Sequence, residues 1–262
     1  MPRLAANITT MYQELPVAER FDAAARHGFQ AVEFLSPYDF SPQEIINWLE
    51  TAGLKLLLIN IHPGENGEAG TAALPGREAF FKQSFKQALD YASSLHAPMI
   101  HVLAGRETAE QPLSRTLFIE QIREAADLAD RQGITLNLEP LNSKDVPGYL
   151  HSQSVATTDL LQAIGRDNVK MQFDFYHLQI MEGNLAASLS RYLPLISHVQ
   201  FSSVPGRHEP QYGEVNVAHL LDYLDEIGYG GWVGCEYWPK AGTEAGLGWA
   251  AEYGIYPETQ SR

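Results

Sequence analysis

The stretch that decides the fold is Gly133-Ile-Thr-Leu-Asn-Leu-Glu-Pro-Leu141, which follows a helical pattern over Leu113–Gln132. Gly133 stands where a helix ends in a left-handed turn, the conformation glycine adopts at least cost. The residues after it alternate. Leu136 and Leu138 share one face, and Thr135, Asn137 and Glu139 share the other. A strand with one apolar face and one polar face ending in a carboxylate suits a barrel wall, covered by helices outside and open to a lumen inside.

The same unit recurs along the chain. Strands are expected at Leu4–Thr10, Ala31–Leu35, Lys55–Ile61, Met99–Gly105, Thr135–Leu141, Val169–Tyr176, Ile196–Ser203 and Trp232–Trp238. Helical patterns lie near Val17–His27, Pro42–Ala52, Arg77–Leu95, Leu113–Gln132, Val155–Ile164, Leu185–Arg191 and Val217–Ile227, with a final helix expected over Thr243–Tyr253. Gly28, Gly53, Gly165 and Gly228 repeat the punctuation of Gly133, and Ser41-Pro42 suits a helix start. Eight alternations of strand and helix predict an α/β fold, a single (β/α)8 TIM barrel over residues 1–262 with a flexible polar tail over 254–262. A doubly wound open sheet is the runner-up. It fits less well because Asn7–Tyr12, after the first strand, holds no glycine for a phosphate loop.

Composition narrows the function. The chain has 262 residues, is 45% hydrophobic and 19% charged, and carries a formal net charge of -14. That surface repels nucleic acid, so no nucleic-acid partner is expected, but it leaves room for a small anionic substrate bound at a cation and an arginine. No apolar run approaches the ~20 residues of a membrane span, so no membrane partner is expected. Met1–Thr10 has no basic region followed by an apolar stretch, and a cytoplasmic enzyme fits. Cys235 is the only cysteine, which excludes an internal disulfide and a cysteine-rich metal site. The aromatic-rich end (Trp232, Tyr237, Trp238, Trp249, Tyr253, Tyr256) suits core packing by default, or a wall or homo-oligomer interface; no feature fixes the number of subunits.

The last four strands carry the functional signal. In the sixth, Gln172, Asp174 and Tyr176 oppose Met171, Phe173 and Phe175. In the seventh, His198, Gln200 and Ser202 oppose Val199 and Phe201. In the eighth, Gly234 and Glu236 oppose Val233 and Cys235. Each of the four strands thus sets a metal-competent side chain on its lumen face near its C-terminal end: Glu139, Asp174, Gln200 and Glu236. Neighbouring strands are roughly 4.8 Å apart, so the four can converge where barrel active sites sit. A lone strand carboxylate is most often a solvated edge residue or half of an ion pair. Here the only lysine or arginine in the four strands is Lys170, and three buried carboxylates need a cation. Oxygen-rich ligation suits one Mg²⁺ or Mn²⁺. Asn7 and Glu33 fall on lumen faces of the first two strands, Asn60 and His62 share a face of the third, and His101 lies in the fourth. Asn7, His62 and His101 are candidates for substrate oxygens, with a satisfied structural histidine equally in view for each imidazole.

Five strings carry a family resemblance: Asn60-Ile-His-Pro-Gly64, Leu138-Glu-Pro-Leu-Asn142, Phe173-Asp-Phe-Tyr-His177, His198-Val-Gln200 and Val204-Pro-Gly-Arg-His-Glu-Pro210, the last continuing to Tyr212-Gly-Glu-Val-Asn216. With Glu236-Tyr237 they resemble the hydroxypyruvate isomerase family, a branch of the xylose-isomerase-like barrels close to the 2-oxo-tetronate isomerases, over nearly the whole chain. The resemblance implies that Glu139, Asp174, Gln200 and Glu236 bind the metal, that Glu139 and Glu236 are the catalytic acid/base pair, and that His177 and Arg207 orient substrate. It further implies an isomerase of small hydroxy-keto sugar acids working by proton transfer through an enediolate, either 2-oxo-tetronate to 3-oxo-tetronate or hydroxypyruvate to tartronate semialdehyde. A ketose 3-epimerase on the same scaffold is the alternative; Gln200, where those relatives usually carry histidine, favours the hydroxypyruvate-type branch. Arg207 lies just past the seventh strand, and its planar fork suits a substrate carboxylate. The opposing reading pairs it with Glu209 or Glu214.

Overall fold

Eight short parallel strands close on themselves. The structure, a computed structural model, describes residues 1–257. In chain order the main elements are β1 (Arg3–Asn7), α1 (Val17–Arg26), β2 (Ala31–Glu33), α2 (Pro42–Ala52), β3 (Lys55–Asn60), α3 (Glu78–Ser94), β4 (Met99–His101), α4 (Arg115–Asp130), β5 (Thr135–Leu138), α5 (Ser154–Ile164), β6 (Val169–Asp174), α6 (Phe175–Met181), α7 (Leu185–Tyr192), β7 (Ile196–Phe201), α8 (Val217–Glu226), β8 (Trp232–Cys235) and α9 (Thr243–Gly246). The strand order is β1 to β8 with β1 paired to β8, so Leu4 lies beside Val233 and Ala5 beside Gly234. Ring closure leaves no free sheet edge.

The expected alternation of faces holds. Leu136, Leu138, Met171, Phe173, Val199, Phe201, Val233 and Cys235 all join the large core beneath the helices. A separate small cluster of Ala5, Ala31, Leu57, Leu58 and Met99, flanked by Trp232, lies apart from that core. On β2, β3 and β4, Glu33, Leu58 and Met99 lie side by side, with Asn60 beside His101 two residues further on. The lumen is therefore apolar toward the strand starts and polar toward their ends. Helix ends follow local chemistry. Ser41 and Glu44 form a reciprocal capping box at the start of α2, and Gly53 closes that helix with φ 68°.

Four expectations need correction. The strands stop earlier than alternation predicts: β4 ends at His101 rather than Gly105, and β1 at Asn7 rather than Thr10. At the mouth the chain turns away to build loops, and the apolar residues there pack in loops rather than in the sheet. β6 stops at Asp174 because that side chain accepts a hydrogen bond from Tyr176 N (2.8 Å) and caps an unexpected helix, α6. Tyr176 therefore sits in a first helical turn and not on a strand face, and His177 is lifted beside Asp174. The stretch expected to be flexible from residue 254 is packed at its start. Gly254 ends a 3₁₀ helix (Leu247–Tyr253), Ile255 is buried, and Tyr256 N donates to His27 O (2.9 Å). The remainder of that expected tail, 258–262, lies outside the described residues. The final helix is only α9 and this 3₁₀ turn, with Trp249 packed against Phe201 and Tyr237.

Candidate active site

Glu139 follows β5 directly and Asp174 ends β6, so neighbouring strands bring both carboxylates to the same end of the lumen. His177, three residues past Asp174 on α6, completes the group: one ligand atom from each of Glu139, Asp174 and His177 lies within 4.8 Å of the others, and all three side chains are buried. His177 Nε2 stands 3.7 Å from Asp174 Oδ2 and 4.0 Å from Glu139 Oε1. Its other nitrogen, Nδ1, accepts from Asn142 N (3.0 Å). An imidazole nitrogen that accepts carries no proton, so the proton of the neutral ring sits on Nε2. His177 thus offers an N–H to the group and is a hydrogen-bond donor there. Asn142 also donates to Asp145 (2.9 Å), which accepts from the Tyr176 hydroxyl (2.8 Å). That small network fixes the ring.

The carboxylates are under-satisfied. Asp174 Oδ1 caps α6, but Asp174 Oδ2 and Glu139 Oε1 are buried without a hydrogen-bond partner among the described residues. Burial is the main reason each carboxyl resists ionisation. It lifts Asp174 to about 6, with Arg207 acting against the rise. It lifts Glu236 to about 8, again opposed by Arg207 and helped by Asp174 and Glu33. Glu139 is pushed well above the usual carboxylate range by burial, then by Glu236 and Asp174, with Arg207 and a hydrogen bond from Gln172 acting in the other direction. Two buried carboxyl oxygens without a partner among the described residues are the environment that a divalent cation satisfies. The residues fit such an ion.

Glu236 follows β8 and accepts from Arg207 Nη2 (2.8 Å). Arg207 therefore pairs with neither Glu209 nor Glu214. Glu209 accepts from Lys240 N (3.2 Å), and Glu214 from Gln179 (3.3 Å). Arg207 holds a left-handed backbone (φ 54°), bridged by Arg207 N to Ser203 O (3.0 Å) and Trp238 N to Arg207 O (2.8 Å), and its guanidinium lies over the Tyr176 ring. Its Nε is buried with no partner among the described residues, a donor left over after the Glu236 contact.

Gln200 is held elsewhere than in the Glu139–Asp174–His177 group. Its Nε2 donates to Glu33 Oε2 (2.7 Å) and its Oε1 accepts from Gln172 Nε2 (2.5 Å). His101 Nδ1 lies 3.5 Å from Glu139 Oε2, and burial drops its pKa to about 3, so the ring is neutral at ordinary pH. His62 accepts from Gly64 N (3.1 Å) and packs edge-on against Phe80, which ties it to its own loop. Asn7 is committed at both ends, donating to Glu33 (2.9 Å) and accepting from Thr9 N (3.1 Å). Sequence reasoning gave no role to Glu33, His198, Gln172, Asn142 or Tyr176. For Glu33 the signal was present: it shares the lumen face logic of Asn7. For Asn142 and Tyr176 none existed, because their role depends on the helix turn after Asp174.

Comparison with known proteins identifies the family of this barrel. The family model for xylose isomerase-like TIM barrels matches residues 21–253. A 2-oxo-tetronate isomerase of Cupriavidus necator is 45% identical over 257 residues, covering 97% of this chain and 99% of that protein. A hydroxypyruvate isomerase of Escherichia coli is 36% identical over 97% of this chain and 100% of its own length. A crystal structure from Brucella melitensis, described as an AP endonuclease of family 2, is 44% identical with a TM-score of 0.93, over 97% of this chain and 99% of that one. With a closed eight-stranded parallel barrel, buried carboxylates at its mouth and relatives that match end to end, this chain belongs to the xylose isomerase-like TIM barrel family and is an isomerase of its hydroxypyruvate isomerase branch.

Proposed function

We propose that the chain is a divalent-metal-dependent isomerase of small hydroxy-keto sugar acids, interconverting 2-oxo- and 3-oxo-tetronate or hydroxypyruvate and tartronate semialdehyde. The observation that carries this is the pair of buried, unpartnered carboxylate oxygens on Glu139 and Asp174, with Glu236 close enough to raise the Glu139 pKa. Glu139, Asp174 and Glu236 are the anionic ligands for one Mg²⁺ or Mn²⁺, with Gln200 the fourth, neutral one. When bound, the cation polarises the substrate carbonyl and offsets the negative charge that develops on the two neighbouring oxygens.

Glu139 and Glu236 carry the proton. One carboxylate takes the hydrogen from the carbon next to the carbonyl; the same group or its partner returns a proton to the former carbonyl carbon. The hydroxyl proton passes between the two oxygens, so the net change is a 1,2-shift with no other reactant. Which glutamate acts first follows the stereochemistry of the substrate. His177 Nε2–H donates to a substrate oxygen beside Asp174. Arg207, with Nη2 on Glu236 and Nε free, binds the substrate carboxylate and keeps Glu236 in place. The 2-oxo-tetronate isomerase relative at 45% identity supports the four-carbon acid as first choice.

Proton NMR of hydroxypyruvate and of 2-oxo-tetronates incubated in D₂O with Mn²⁺- or Mg²⁺-loaded protein tests the reading. Deuterium entering at C2 of the product, with disappearance of the C3 proton of the substrate, is expected for one of the acids. Exchange only with neutral ketoses would replace the reading by the 3-epimerase alternative. The description of the Brucella structure raises a nuclease reading. A net charge of -14 and a group with a single histidine among its members speak for a small-molecule site.

A further inference from the structure

At the end of β2 lies a further buried carboxylate, Glu33, which no part of the proposed chemistry uses. It is wholly buried and saturated with donors: His198 Nε2 at 2.5 Å on Oε1, and Asn7 Nδ2 (2.9 Å) and Gln200 Nε2 (2.7 Å) on Oε2. Its side chain fills the space over β8, where a Cβ on Gly234 would stand 1.9 Å from Glu33 Oε1. From Glu33 the hydrogen bonds run as a line across the barrel. Gln200 donates to Glu33; Gln172 donates to Gln200 Oε1 (2.5 Å); Asn137 donates to Gln172 Oε1 (3.3 Å); Ser197 donates to Asn137 Oδ1 (2.8 Å).

That line has a direction, set by the carboxylates that touch it: Glu33 accepts from Gln200, and Glu139 accepts from Gln172. The three amides can each turn over by half a rotation, and the Ser197 hydroxyl can donate or accept. If all four reversed together, every internal bond would survive. A carboxylate can only accept. Glu33 therefore forces the Gln200 nitrogen toward β2 and the Gln200 carbonyl oxygen toward β6, where Asp174 is its partner in register. A glutamine can bind a hard cation through its oxygen alone.

We infer that Glu33 is a positioning residue that fixes the amide of Gln200 with its oxygen toward the Glu139–Asp174 group, and thereby sets the affinity of that group for a divalent cation. The inference rests on the proposed metal dependence. Partners that orient a ligand are typically worth about 10- to 100-fold in metal affinity, and Glu33→Gln removes the directing charge while keeping the shape.

The experiment is calorimetric titration of the metal-stripped full chain with Mn²⁺, alongside the melting temperature of the stripped protein. Wild type is expected to bind one ion. Glu33→Gln is expected to remain folded and to bind Mn²⁺ about 10- to 100-fold more weakly. The double exchange Glu33→Gln with Gln200→Glu puts the donor on β2 and the carboxylate on β7; it again leaves an oxygen facing β6 and is expected to recover affinity close to wild type. A purely structural role for Glu33 would lower the melting temperature of Glu33→Gln and leave the affinity of its folded fraction unchanged. That result would overturn the inference, as would a folded double variant no better than Glu33→Gln alone. If Glu33→Gln does not fold, the double exchange carries the test, and a folded double variant far weaker than wild type would sink the idea. Absence of Mn²⁺ binding by wild type would instead remove the functional reading on which the inference stands.

Discussion

Glu33 and Glu139 are both buried glutamates near the strand ends of one barrel, yet their surroundings are opposite. Glu33 accepts from three side chains, and Glu139 Oε1 accepts from none among the described residues. A buried charge that meets its donors inside the protein needs no further ligand of its own. A buried charge left short is held by the fold at a cost, and it marks where an ion or substrate completes the arrangement. The polar lumen thus holds one carboxylate, Glu33, with donors on both oxygens, and two, Glu139 and Asp174, each with an oxygen that has no partner among the described residues.

The sharpest way to break this contrast is substitution on each side of it. Glu139→Gln and Glu236→Gln keep volume and remove the proton carrier. Turnover should fall by about 10³-fold or more, with the circular dichroism melt preserved. Near-normal rates in either variant would end the acid/base assignment. Arg207→Ala should raise the Michaelis constant for an acid substrate by about 10- to 100-fold, the scale of a lost charge-assisted hydrogen-bond pair, and Arg207→Lys should recover little because an ammonium lacks the fork. An unchanged Michaelis constant would move the carboxylate site elsewhere.

The two sides should also answer differently to pH. Asp174 at about 6 and Glu236 at about 8 have folded values above those of the unfolded chain. Between the unfolded value near 4 and these folded values the native state holds more protons than the unfolded state, so stability falls as pH rises. The metal-stripped protein should therefore melt higher at pH 5 than at pH 9. Added Mn²⁺ should raise the melting temperature more at the higher pH, because the ion binds the ionised carboxylates. A melting temperature of the stripped protein that climbs from pH 5 to pH 9 would contradict the assignment of the raised values. The smallest effect tests the Glu33 side: Gly234→Ala forces a methyl into Glu33 and should cost about 1–3 kcal/mol in chemical denaturation. A neutral result would show that Glu33 has room to move.

The division also explains what could be seen in the amino-acid string. Alternation in Thr135–Glu139 and in Val169–Asp174 exposed the barrel and the lumen face, because period two is a local property. Glu139, Asp174, Gln200 and Glu236 were visible for the same reason. The cap that Asp174 places on α6 was not, because an aspartate at a strand end looks alike whether it continues the strand or starts a helix. That one turn decides where Tyr176 and His177 stand. The pairing of Arg207 with Glu236, 29 residues apart, depends on how two loops fold back and leaves no local trace. The direction of the Gln200 amide is set from Glu33, 167 residues away.

The most direct test of the central claim is Mn²⁺ titration of the metal-stripped wild type against Glu139→Gln and Asp174→Asn near pH 8. One ion per chain in the wild type, with binding lost or greatly weakened in both folded variants, is the predicted result. Equal binding by all three proteins, or none by the wild type, would contradict it.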